Sequence, residues 1–138
     1  MATSAFNKFN SFTEAVAEKV HNLGADTLEV ALTNTLPVNT HSQLSYITQI
    51  TYTNLNARTV TVSGSAQTGG VYKLSITDKT LTSTGGSTGP FRYVVLFNQT
   101  ATNDELIGWY DYGSSITLGD GESLLLNFDD ANGVLTIT

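Results

Sequence analysis

Phe91-Arg92-Tyr93-Val94-Val95-Leu96-Phe97, read with its neighbour Leu106-Ile107-Gly108-Trp109-Tyr110-Asp111-Tyr112, decides the fold. Both are short runs of aromatic and β-branched residues, which suit a pleated, half-buried surface. Turn formers bound them: Gly85, Gly86, Gly89 and Pro90 before, 98–105 between, Gly113 after. They read as one hairpin. A symmetric loop sets Phe97 opposite Leu106, Val95 opposite Gly108, Tyr93 opposite Tyr110 and Phe91 opposite Tyr112 on one side. The same register sets Val94 opposite Trp109 and Arg92 opposite Asp111 on the other. A slip of one residue would break both the aromatic ladder and the charge pair, so this register is the expected one. Neither face is polar enough for water, which predicts central strands covered by a second sheet on one side and by a helix or a partner on the other. Such a hairpin is a scaffold, not a catalytic cleft.

Working outward, residues 1–10 form a polar stretch carrying Phe6 and Phe9, an arm with no strong period. Ser11-Phe12-Thr13-Glu14 fits a capping box. A helix is predicted over 12–23, stopping at Gly24. Phe12, Val16, Val20 and Leu23 make one narrow apolar stripe, while Glu14, Glu18 and Asn22 face away. The stripe packs on the domain's own sheet or on a neighbouring subunit. Phe6, Phe9, Phe12, Val16 and Val20 are accordingly the candidate interface residues. Alternation predicts strands at 27–33, 49–53, 59–62, 71–77, 80–82, 115–118, 123–128 and 134–137, with 44–48 ambiguous. The stretch 85–90 reads as a flexible connection, and 129–133 as a hairpin turn. One helix ahead of many short strands indicates a mainly-β chain, a β-sandwich or jelly-roll-like barrel. The division is an N-terminal arm and helix over 1–24 and a β domain over 25–138, together one domain.

At 138 residues the chain can bury about two thirds of its unfolded surface, and with no cysteine it has no disulfide to help. Charged residues are 13% of the chain and the net charge is -6, with a pI near 4.5. Six scattered Lys and Arg cannot displace counterions from phosphates, which argues against nucleic acid as a partner. No apolar run approaches the ~20 residues of a membrane helix, and the N-terminus lacks a signal-peptide layout.

Reactive constellations are weak. His21 and His41 stand in no metal-ligand spacing, and no G-x-S-x-G elbow is present. Asp129-Asp130-Ala131-Asn132-Gly133 lacks the distal glutamate of a calcium loop. Gly85-Gly86-Ser87-Thr88-Gly89-Pro90 lacks the lysine of a phosphate-binding loop. Trp109, Tyr110 and Tyr112 could suggest a sugar platform, but alternation separates the indole from the two phenols. The expectation is a protein that is not an enzyme, with no catalytic residue, metal, cofactor or small-molecule substrate.

Several segments stand in a telling order: Leu28-Glu29-Val30-Ala31-Leu32-Thr33-Asn34-Thr35 with Pro37, then Gly70-Val71-Tyr72-Lys73-Leu74, then the two hairpin runs with Gly113. Asp120-Gly121-Glu122-Ser123 and the closing Gly133-Val134-Leu135-Thr136 follow. This order resembles a family of small virion structural proteins of tailed bacteriophages, and with the N-terminal helix the likeness covers nearly the whole chain. The resemblance implies a head decoration (cement) protein that binds the outer capsid surface and stabilises the shell against internal DNA pressure. It also admits a tail or neck component, or a virion-surface carbohydrate-binding module. The implied partners are the major capsid protein and further copies of the chain, as a dimer or trimer. Synthesis would be in a bacterial cytoplasm and the final location the virion.

Overall fold

A computed structural model describes residues 5–129 and 131–138. Its elements are β1 (Asn7–Lys8), α1 (Ser11–Ala17), β2 (Leu28–Thr33), β3 (Thr59–Val60), β4 (Val62–Thr68), β5 (Val71–Ile76), β6 (Lys79–Thr82), β7 (Thr88–Asn98), β8 (Leu106–Leu118), β9 (Ser123–Leu126) and β10 (Leu135–Ile137). The strands form a five-stranded sheet in the order β1-β8-β7-β2-β3, a three-stranded sheet β10-β5-β4 and a two-stranded sheet β6-β9, all antiparallel. The fold is mainly β and sandwich-like, with one α-helix among the described residues.

β7 and β8 are central, and β7 is buried on both faces from Tyr93 to Asn98. Val94, Leu96, Ile107 and Tyr110 join the main core, where they meet Leu74, Ile76, Leu81, Leu124 and Leu126 of the two smaller sheets. Val95 and Phe97 lie in a second cluster with Phe9, Ala31, Ile47 and Leu106, against which Leu44 and Trp109 pack. The outer face is thus covered by the chain's own Phe9 and by the 3-10 turn Leu44–Tyr46. Phe12 and Leu23 sit in the main core, so the arm-and-helix segment and the β domain share one interior.

The hairpin register differs from the symmetric one. Phe97 does face Leu106, but Leu96 then faces Gly108, Val95 faces Trp109, Val94 faces Tyr110 and Tyr93 faces Asp111. Ile107 is the extra residue of a β-bulge. Its consequence is to aim both Ile107 and Tyr110 into the main core and Trp109 into the outer cluster. Tyr93 and Tyr110 therefore lie on opposite faces, as do Val94 and Trp109, and Tyr93 instead meets Trp109 edge-on with centroids 5.8 Å apart. A second shift pairs Phe91 with Ile116. The Arg92–Asp111 pair survives as a two-pronged contact, with Nε to Oδ1 at 2.8 Å and Nη2 to Oδ2 at 3.1 Å. Asp111 is held below the usual carboxylate range, chiefly by that contact.

The helix is shorter than its stripe. It ends at Ala17, because Lys19 takes a left-handed φ of 65° and the Val20 amide closes on the Ala15 carbonyl at 2.8 Å. Asn10, not Ser11, is the N-cap, and no side-chain cap bond forms. Residues 49–53 form no strand. Ile50 N–H bonds to the Leu32 carbonyl, and the Tyr52 hydroxyl takes the Leu32 amide at 2.9 Å, so a side chain holds this segment beside β2.

The stretch 85–90 is tied, not loose. Ser83 Oγ bonds to Gly86 O and Thr88 Oγ1, Gly85 N–H bonds to Asp120 Oδ1, and β7 already begins at Thr88. At Gly89 (φ +131°) a Cβ would lie 2.8 Å from the Ile116 carbonyl, so only glycine fits. The 129–133 turn joins β9 to β10, which belong to different sheets; it is a crossover, not a hairpin. Asp129 Oδ1 accepts the amides of Asn132 and Ala131 and its Oδ2 accepts from Asn132 Nδ2, and the Asn132 bonds above all lower its pKa.

Candidate functional site

The five candidate interface residues separate by depth. Phe9 is fully buried in the outer cluster and Phe12 is 3% exposed in the main core, so neither offers a surface to a partner. Their aromatic rings complete two cores that the small helix alone could not cover. Phe6 is half-buried, with its ring 5.4 Å from that of Tyr110 and stacked over Gly108. The arm therefore has an intramolecular seat, with β1 pairing Asn7 to Trp109 and Lys8 to Gly108. Of residues 1–10, 1–4 lie outside the described residues. Val16 and Val20 are half-buried and line a groove.

That groove, about 580 Å³, opens between the residues after α1 and the inner face of the β4-β5-β10 sheet. Val16, Val20, Tyr72 and Ile137 supply its apolar wall; Lys19, Asp26 and Ser65 bring polar groups. His21 lines it from below and is 7% exposed. The polar arrangement beneath is ordered. Asn98 Oδ1 accepts the backbone amides of Thr100 and Ala101, which fixes the orientation of the amide. Asn98 Nδ2 must then donate, to His21 Nδ1 at 3.0 Å and to Asp26 Oδ2 at 2.7 Å. Asp26 Oδ2 also accepts the Asn22 amide. His21 is thereby the neutral tautomer with its proton on Nε2, an atom buried without a hydrogen bond of normal geometry. Burial lowers the His21 pKa; Glu105, Asp26 and the Leu106 carbonyl pull the other way.

This cluster is a fastener. It ties the turn after the helix to the loop joining β7 and β8, and no nucleophile stands beside the imidazole in it. Asn98 and Asp26 were not among the sequence candidates, because each reads as an ordinary turn residue until the fold brings positions 72 apart together.

A second feature is on the surface. Leu36, Val38 and Tyr46 are 57%, 49% and 56% exposed, all in the connection leaving β2. Tyr46 stacks on His41 with centroids 5.6 Å apart, which stiffens its ring. Contiguous exposed apolar side chains mark a contact surface better than scattered ones do, and Leu36 and Val38 stand on either side of the buried Pro37. Trp109, by contrast, is half-buried and edge-on to Tyr93 at 80°, so the two rings offer no flat platform to a sugar. Among the described residues no group of His, Cys, Asp and Glu side chains could hold a metal ion. No helix there is long and apolar enough to cross a membrane. Comparison with known proteins gave no match to any protein family, curated protein or solved structure.

Proposed function

We propose that this chain is a bacteriophage virion structural protein, a head decoration (cement) protein that binds the outer capsid surface and stabilises the shell against internal DNA pressure. The observation that carries the reading is the exposed apolar connection of Leu36, Val38 and Tyr46, mounted on a strand of the five-stranded sheet. It joins the phage-like order of segments, in which β2 and Pro37 take part. A cement protein works through area and rigidity instead of chemistry, and a weak contact repeated over a lattice holds firmly. A sandwich whose central strand β7 is buried on both faces from Tyr93 to Asn98 is a stiff mount for such a contact.

The test is binding to purified expanded heads. The chain is expected to bind them and to raise the temperature at which DNA-filled heads rupture, and Tyr46→Ser with Leu36→Ser is expected to weaken binding without lowering the melting temperature of the free chain. Binding to tails alone, with no effect on head rupture, would overturn this reading in favour of a tail or neck component.

A further inference from the structure

The edge of β4 carries a second surface. β4 and β5 are joined by the two-residue turn Gly69-Gly70, with φ of +58° and +85°, and Thr68 pairs with Val71. A turn of this kind closes on a hydrogen-bonded pair, and such pairs then alternate along the ladder. Thr68 and Ala66 therefore spend their backbone groups on β5, opposite Val71 and Lys73. Ser65 and Gln67 direct theirs the other way. β4 ends the three-stranded sheet, so among the described residues no strand receives them.

Three properties of this edge decide what fits it. It is exposed from Ser65 to Thr68. It lacks the proline and lysine with which edges are commonly guarded, and the bulge between Val62 and Gly64 lies at its far end. No charged residue occurs from Thr59 to Tyr72, although the chain as a whole is acidic at -6, so two copies can approach here without like charges meeting. The edge is also complementary to itself. An antiparallel copy centred on Ala66 sets Ser65 opposite Gln67 of the second copy and Gln67 opposite its Ser65. Both pairs then exchange both of their outward bonds. Ala66 meets Ala66 on the dyad and Gly64 meets Thr68, so only small side chains meet on that face.

From this juxtaposition we propose that β4 is a self-association edge, pairing with β4 of a second copy to make one sheet β10-β5-β4-β4-β5-β10 across a two-fold axis. Edge pairing alone buries less than the about 1,200–2,000 Å² of a standard stable interface, so the dimer is concentration-dependent. The proposal stands apart from the capsid reading, since it concerns the purified chain alone.

The experiment is sedimentation of the full chain across a concentration series, with oxidative cross-linking of single-cysteine variants; the chain has no cysteine of its own. The weight-average mass is expected to climb from 14.7 kDa toward twice that value. Ala66→Cys should form an intermolecular disulfide, because a facing pair on the dyad lies within disulfide reach. Thr80→Cys, exposed on β6, should not. Ala66→Glu places like charges face to face across the dyad, while within each copy Lys73 stands opposite it, and should weaken the dimer about tenfold or more without lowering thermal melting. A chain that stays monomeric throughout, or a dimer that Ala66→Glu leaves intact, would overturn the proposal. Failure of capsid binding would not affect it, and failure here leaves the capsid test standing.

Discussion

At the scale of one residue, His21 shows how position turns an ordinary side chain into a condition on stability. Its Nδ1 accepts from Asn98, whose other bonds leave the amide no freedom to turn round. Protonation would set an N–H against an N–H. Desolvation, the largest influence, lowers its pKa from 6.5 in spite of Glu105 and Asp26. Between the lowered value and 6.5 the unfolded chain binds the proton and the folded chain does not, so stability rises with pH there. The contribution is complete above 6.5 and is lost as the pH falls through the folded pKa. Thermal melting from pH 8 down to pH 4 should show this loss, and His21→Gln, which can still accept from Asn98, should melt with a shallower pH dependence. An identical slope in both proteins would remove His21 from the account.

At the scale of elements, the arm and the central hairpin depend on each other. β1 is two residues long and would not persist alone; it is held because Phe9 fills the outer cluster and Phe6 lies over Gly108. Phe9→Ala should cost ~3–5 kcal/mol, the usual range for a fully buried phenylalanine, read as a shift in chemical denaturation. A Cβ at Gly108 would overlap the Phe6 ring and approach the Asn7 carbonyl at 2.8 Å. Gly108→Ala should therefore expel the arm, seen as faster proteolysis ahead of Asn10, with the β7–β8 ladder retained. These pairs also show what the sequence could and could not disclose. The two hairpin strands, their burial on both faces and the Arg92–Asp111 contact were legible from composition and alternation. The bulge at Ile107 was not, because either register buries an apolar residue at nearly every position, and only the choice of which core receives Tyr110 separates them. The helix stripe continued past its real end, since spacing cannot register a left-handed Lys19. The arm phenylalanines looked unattached because their seats include residues about a hundred positions away.

At the scale of the molecule, one sheet serves two interiors. β7 gives Val94 and Leu96 to the main core and Val95 and Phe97 to the outer cluster, while β2 gives Val30 and Leu32 to the first and Ala31 to the second. Neither interior can be dismantled without pulling strands from the other. A chain with two separable cores would lose the outer cluster first, because it is smaller and roofed by a connection and one arm residue instead of by a sheet. Shared strands forbid that order: opening the outer face exposes a sheet whose opposite face is still packed, at the full cost of its buried side chains and with little backbone freedom gained. Trp109 is the single tryptophan and packs against the outer cluster, so its fluorescence reports that side, whereas far-ultraviolet circular dichroism reports the sheets as a whole. In urea the two signals should give one coincident transition with the same midpoint and slope. A tryptophan transition at lower urea than the loss of β structure would mean that the outer cluster melts by itself. The surface connection bearing Leu36, Val38 and Tyr46, which continues into the Leu44–Tyr46 turn covering that cluster, would then be a loose mount, and the capsid-binding reading would lose the rigidity on which it relies.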